Sequence, residues 1–458
     1  MSNIYAVILA AGQGTRMKSK LYKVLHPVCG KPMVQHVVDT LASMQVHDSV
    51  VVVGHGADLV RQTLGERVQY AFQDKQLGTG HATKQAAPIL SEKEGTTLLL
   101  YGDVPLLSAE TLTSLLSYHH GQEAAVTVLT ATMEDPTGYG RIVRSEAGEV
   151  LRIVEQKDAS AEERAIQEIN TGIYCFDNAK LWNALEQVTN NNAQGEYYIT
   201  DVVGILREAG EKVTAFVAAD PDETMGVNDR VQLSMAEAYM RKRINEKHMR
   251  NGVTIIDPAS TYIEADVVIG NDTVLQPNTI LRGTTAIGSD CVLGPQADLT
   301  NVTVADGVKI QYSVLTDSAV EQSATVGPFA YVRPDSHIGP NVKIGDFVEL
   351  KNAKIGQGSK VPHLSYIGDA EIGENVNIGC GTISVNYDGA KKHKTIVGDN
   401  AFIGCNSNLV APVEIGKNAY VAAGSTITKN VPEDALGIAR ERQENKLGYA
   451  ARLPRKGK

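Results

Sequence analysis

With 458 residues, 43% hydrophobic and 21% charged, the chain has the make-up of a soluble globular protein and is too long for one ordinary core. A net charge of −10 argues against a nucleic-acid partner held by bulk electrostatics, and no run of about 18 apolar residues offers a membrane span. Five scattered cysteines, odd in number and without a CxxC pair, read as reduced thiols of a cytoplasmic protein, and the N-terminus lacks the basic region and cleavage site of a secretory signal.

The first element is a buried parallel-type strand that begins at Ile4 and runs into Gly12-Gln13-Gly14-Thr15-Arg16. Two glycines let the backbone turn tightly and approach a ligand, and Arg16 adds a guanidinium suited to phosphate oxygens. The dinucleotide fingerprint fails because Met17 stands where a third small residue is needed, and the Walker loop fails because Thr15-Arg16 is not Lys-Ser/Thr. An amphipathic stretch from Met33 to Met44, a valine strand from Ser49 to Val53, a helix from Ala57 to Leu64 and the strand Thr96 to Tyr101 continue the alternation. Short apolar strands separated by helices give an α/β domain with a doubly wound, Rossmann-like parallel sheet, whose ligands sit at the carboxyl ends of the strands. Gly12–Arg16, Gln73 to Thr79 and Gly102-Asp103 fall there. Asp103 reads equally as a Mg²⁺ ligand beside phosphates or as a cap of the turn before Pro105.

From Asn228 to Arg250, Leu233, Ala236, Met240 and Ile244 recur at helical spacing, so a long connecting helix is expected with Asn228 or Asp229 as its N-cap. Beyond Gly252 the rhythm changes to six. Ile263, Ile269, Leu275, Leu281, Ile287 and Leu293 are followed, after a slip of phase, by Val308, Val314, Val320, Val326, Val332, Ile338, Ile344 and Leu350. A hexapeptide repeat gives a left-handed parallel β-helix, here of about ten coils at 18 residues each. The predicted organisation is therefore residues 1–229, a helix over 230–251, and a β-helix with its tail over 252–458.

The repeat breaks at SVNYDGAKKHKT, so a loop is expected to project around Asn386 and Tyr387. Arg333 and Lys351 each follow an inward residue and lie 18 residues apart, one coil, so they stack on one face and invite a bridging phosphate. His363 is two residues after inward Val361 and points outward, where an imidazole can serve as a base near neutral pH. The basic tail from Arg440 to Lys458 reads as a phosphate clamp or a solvated end.

The motifs LAAGQGTRM, KVLHPVCGKPM, QLGTGHA, YGDVPL and GYGRIVR are similar to those of sugar nucleotidyltransferases. With IVEQKDA, EINTGIY, MGVNDR and NYDGAKKHKT, the whole chain resembles the bacterial bifunctional N-acetylglucosamine-1-phosphate uridyltransferases/glucosamine-1-phosphate N-acetyltransferases. The resemblance implies two reactions. Acetyl-CoA acetylates glucosamine 1-phosphate in the β-helix. The product then attacks UTP in the N-terminal domain, with Mg²⁺, to give UDP-N-acetylglucosamine for peptidoglycan and, in many bacteria, lipopolysaccharide. It also implies a homotrimer through the β-helix.

Carried over by motif, Leu9, Ala10, Ala11, Gly12, Lys23, Gln73, Gly78 and Thr79 surround the nucleotide, with Tyr101 and Gly102 beside them. Arg16 and Lys23 neutralise the reacting phosphates, Gly140, Glu155 and Asn170 hold the sugar, and Asp103 and Asn228 hold Mg²⁺. In the second domain His363 is the base, and Arg333, Lys351, Tyr366 and Asn377 bind the sugar phosphate. Cys380, Asn386, Tyr387, Cys405, Ala423 and Arg440 meet acetyl-CoA; many relatives carry Ser at Cys405 and Ala at Cys380, so weaker hydrogen bonding is expected there. The rival readings are a pyrophosphorylase whose β-helix only oligomerises, and a non-catalytic scaffold.

Overall fold

The computed structural model describes residues 3–454, so Arg455, Lys456 and Lys458 of the basic tail lie outside the described residues. The chain divides into two compact units, Met1–Arg241 and Lys242–Lys458, and the division falls within the helix Arg230–Arg250.

In the first unit, β1 (Ile4–Ala10), β2 (Asp48–Val53), β3 (Gln69–Phe72), β4 (Thr96–Tyr101), β5 (Val126–Thr132), β6 (Gly140–Arg144), β7 (Val150–Val154), β8 (Glu168–Asp177) and β9 (Val213–Val217) share one sheet. Its order is β9-β5-β8-β4-β1-β2-β3, with the β6–β7 hairpin attached to β8. The central strands are apolar on both faces because helices cover both. Val7, Leu9, Val50, Val52 and Leu99 enter one core, and Ala6, Ile8, Val51, Val53 and Leu100 enter the other. Each such buried aliphatic side chain contributes roughly 1.5–3 kcal/mol.

The sheet is mixed rather than wholly parallel. β8 runs antiparallel to β4 and β5, and its register shifts between Asn170 and Tyr174. That irregularity turns Asn170 toward Gly140 across the β6 pairing, which matters for the site below. The helix cap is also resolved: Asp229 Oδ1 accepts from the amides of Val231 and Gln232 at 2.9 Å, whereas Asn228 is left to serve another group.

The second unit is a ladder of parallel two- to seven-residue strands, one column of which contains eleven strands. Leu281, Leu299, Leu315, Val332, Leu350 and Ile367 stack inward in successive coils, each at most 1% exposed. The steps between them fall to 16 or 17 residues in places, so the six-residue phase drifts. This corrects one expectation. Val314 faces outward at 43% exposure, and its neighbour Leu315 takes the inward position.

One titratable group gives the first unit a pH limit. His119 is buried, its Nδ1 pairs with Thr127 Oγ1 at 2.9 Å, and burial, helped by His120, holds it at about 4 against an ordinary 6.5. The unfolded chain therefore takes up this proton first, so stability is full above 6.5 and declines as pH falls toward 4. Trp182, the chain's one tryptophan, is buried in this unit and reports its unfolding. Its fluorescence should show a denaturant midpoint that drops between pH 7 and 4.5, and drops less in His119→Gln; an equal drop in both proteins refutes the assignment.

Candidate active sites

The carboxyl ends of β1, β2 and β4 meet the loops that follow them around a cavity of about 310 Å³. Leu9, Ala10, Ala11, Gly12, Lys23, Gln73, Gly78, Thr79, Tyr101, Asp103 and Asn228 all line it. The reason is covalent reach: each belongs to a strand end or the first residues after it. Gly14 sits at φ +63°, and a Cβ there would meet Lys23 Cβ at 2.5 Å, so this glycine lets the loop lie directly on the lysine. Gly78, at φ +108°, approaches the Tyr197 carbonyl just as closely, and Gly80 N donates to that carbonyl at 2.8 Å. Arg16 lies on the short turn Thr15–Met17, exposed and outside the cavity wall.

Lys23 Nζ contacts the Asp103 carboxylate and lies 3.1 Å from Asn228 Oδ1. Two oxygens from distant parts of the chain thus converge on a single cation. The Val227 amide donates to the Asp103 carbonyl at 2.9 Å and ties the two segments together. Among the described residues no cluster of three or more His, Cys, Asp or Glu could hold a metal. The donor set is one carboxylate and one amide oxygen, which suits a hard cation that keeps most of its ligands as water and phosphate.

Gly140, Glu155 and Asn170 form a second group. A Cβ on Gly140 would lie 3.5 Å from both Glu155 Oε2 and Asn170 Cβ. Burial, together with Asp158 and Asp201, raises the Glu155 carboxyl above the usual range, and Thr200 Oγ1 donates to it at 3.3 Å. Tyr101 connects the groups: burial raises its hydroxyl, and the charges of Glu155 and Asp103 both act on it. Gly102 is buried and its amide donates to the Leu9 carbonyl at 3.0 Å, so it shapes the wall from behind.

In the β-helix, pairing of Val332 with Leu350 puts Arg333 beside Lys351 in register. The stack is not bare. Glu349 Oε1 accepts from Arg333 Nη1 at 2.8 Å, and Lys351 has a lowered pKa because Lys392, then Arg333, crowd it. Lys392 comes from the projecting loop, which sequence reasoning located without singling out this residue; its only signal was the run of lysines in that loop. The Tyr366 hydroxyl lies over Gly368, the register partner of Lys351. Asn386 is buried and donates to Asp369, which also accepts from Asn352 at 2.7 Å. Three cations with a tyrosine and an amide around them form an anion site.

On the other side of the corner made by Leu364, His363 heads a different column. Asp346 pairs with His363 in register, with Nδ1 to Oδ1 at 2.5 Å. Counting on from the Lys360–Asn377 and Ile378–Ile403 pairings puts Cys380 and then Cys405 in the same column, and Ala423 follows. Arg440 Nη1 donates to the Ala423 carbonyl at 2.7 Å. Asn377 lies half-buried on the same sheet, and Tyr387 is exposed with its hydroxyl on Gly389. Asp346 and Glu349 were invisible to sequence reasoning because neither belongs to a motif; only coil register reveals them. Glu196, in the wall of the first cavity, was missed because its loop has no periodicity.

Comparison with known proteins adds the following. Residues 5–222 match the Nucleotidyl transferase family, residues 394–429 the Bacterial transferase hexapeptide (six repeats) family, and residues 314–387 the GMPPB C-terminal domain. The Bifunctional protein GlmU of Brevibacillus brevis is 75% identical over 458 residues, covering 100% of this chain and 99% of that protein. The proteins of the same name from an Exiguobacterium species and Listeria monocytogenes are 61% and 56% identical, covering 98% and 99% of this chain and 99% of each.

The cation cluster makes a measurable claim by itself. Inorganic phosphate should bind the β-helix, by ³¹P line broadening, and Lys351→Met should weaken it about tenfold through loss of one charge-assisted contact. Equal affinity in the two proteins removes Lys351 from the anion site.

Proposed function

The chain belongs to the family of the bifunctional protein GlmU, and on that premise we propose how its two sites carry the two reactions. It is a bifunctional enzyme, an acetyltransferase and a uridyltransferase that supplies UDP-N-acetylglucosamine for cell-wall synthesis. Acetylation comes first. Arg333, Lys351 and Lys392 hold the phosphate of glucosamine 1-phosphate, with Tyr366 and Asn377 on the sugar. The amine attacks the acetyl-CoA carbonyl, the new C–N bond replaces the C–S bond, and His363 takes the amine proton while CoA leaves as its thiol. Asn386, Tyr387, Ala423 and Arg440 contact acetyl-CoA, with Cys380 and Cys405 lining the same column.

In uridylyl transfer a phosphate oxygen of N-acetylglucosamine 1-phosphate attacks the α-phosphorus of UTP, and pyrophosphate leaves. Leu9 to Gly12, Gln73, Gly78 and Thr79 position the nucleotide, and Gly140, Glu155 and Asn170 the sugar. Lys23 offsets charge on the reacting phosphates, joined by Arg16 once phosphate reaches the loop rim. Asp103 and Asn228 hold Mg²⁺. The observation behind this is their convergence on the Lys23 ammonium, a cation already accepted between the two oxygens. Bound there, Mg²⁺ neutralises phosphate charge as the α-phosphorus is attacked.

A homotrimer follows from a ridge on the β-helix. Tyr312, Phe329, Phe347 and Leu364 occupy one corner in successive coils, each at positive φ and each 37–58% exposed. The Phe329 and Phe347 rings stack at 5.4 Å. Bulky residues in a left-handed conformation cost about 1 kcal/mol or more apiece, and a stacked apolar ridge invites a partner surface. Copies of this chain cover it. The five free cysteines and the absence, among the described residues, of a helix fit to cross a membrane agree with a cytoplasmic setting.

The two activities should separate. His363→Ala protein should lose acetyl transfer by about 10²-fold or more and keep uridylyl transfer, while Asp103→Asn should do the reverse. If unaltered protein makes no N-acetylglucosamine 1-phosphate, the β-helix is not an enzyme and the bifunctional reading falls. Chelating Mg²⁺ should stop uridylyl transfer alone. Phe347→Asp should sediment as a monomer; a trimer of this variant excludes the ridge from the interface.

A further inference from the structure

We propose that Asp346 is the positioning residue for acetyl transfer, holding the His363 imidazole in the tautomer and orientation that leave Nε2 free to take the amine proton. The inference rests on the reading of His363 as the base. Three observations carry it. The strands Lys343–Asp346 and Lys360–His363 end together, and their last residues are register partners on adjacent coils. The carboxylate oxygen lies 2.5 Å from Nδ1 and not from the other ring nitrogen. The backbone repeats the link: the Leu364 amide donates to the Asp346 carbonyl at 2.9 Å, so the imidazole and carboxylate are fixed at the same rung.

An anionic acceptor at Nδ1 requires the proton on Nδ1, and Nε2 then presents a lone pair. The hydrogen bond from His363 holds the Asp346 carboxyl below the usual carboxylate range, with Lys343 adding to the effect. The same column offers Pro328 beneath and Cys380 above, so Asp346 is the carboxylate at this rung. During the reaction the amine N–H bond breaks, its proton forms a bond to Nε2, and the resulting imidazolium gains a compensating anion 2.5 Å from Nδ1. When the C–S bond breaks, that proton is available to the departing sulfur. Asp346 touches neither substrate in this scheme; it acts through His363.

The test uses full-length protein and four variants: Asp346→Ala, Asp346→Asn, His363→Ala and the double variant with Ala at both positions. Asp346→Ala should lower kcat for acetyl transfer about tenfold or more, with KM for both substrates within about twofold. Asp346→Asn should fall between it and the parent, because an amide keeps the acceptor and loses the charge. The double variant should be no slower than His363→Ala, since the carboxylate has no role without the ring. Uridylyl transfer and sedimentation should match the parent in the Asp346 variants, which guards against misfolding. Parental kcat in Asp346→Ala, or a loss confined to KM, or a double variant slower than His363→Ala, overturns the positioning role. Parental activity in His363→Ala overturns the base itself, a separate failure.

Discussion

A parallel ladder sets residues of equal register about 4.8 Å apart and brings neighbouring strands to an end on the same side. Both sites depend on that constraint. In the first unit β1, β2 and β4 deliver Leu9, Gln73 and Asp103 to one cavity because each chain segment leaves the sheet at the same edge. In the second unit register turns sequence spacing into columns, so Arg333 meets Lys351 and Asp346 meets His363. Antiparallel neighbours would have put these groups at opposite ends of their strands. The single antiparallel strand within the first sheet is used differently, since its irregularity sends Asn170 to the sugar side of the cavity.

Each site keeps its cations in interim pairings. Lys23 is engaged by Asp103 and Asn228, and Arg333 by Glu349. The first pair is largely shielded, with side chains 13% and 14% exposed, whereas the second is more than a third exposed and correspondingly weak. A phosphate arriving at either place therefore exchanges partners instead of filling an uncompensated charge. Carboxylates that look ill-suited to an anion site hold the basic side chains in place until the anion arrives.

Much of this was legible because the two periodicities differ so sharply. Buried valine and leucine runs separated by helices identified the sheet, and a repeat of six identified the β-helix. What sequence could not supply was register. Coils of 16 and 17 residues shift the phase, which is why Val314 faces out and Leu315 in. Lys392, Glu349 and Asp346 are ordinary surface residues until the coils are stacked. The cap at the linker helix was undecided between two neighbours, because both can accept from a backbone amide; only the geometry gives it to Asp229 and frees Asn228. Arg16 is the reverse case, prominent in its motif yet standing outside the cavity wall.

The stacked coils also constrain how this half of the chain can change length. A residue inserted within a rung would rotate every later inward position out of the core and shear apart columns such as Asp346–His363. Whole coils can be gained or lost, because each presents the same inner face to its neighbours. Otherwise added residues must leave the ladder entirely, as those between Val385 and Thr395 do before the strands resume their pairing. Length in this unit is therefore quantised, and its one large departure is the loop that brings Asn386 and Lys392 to the anion site.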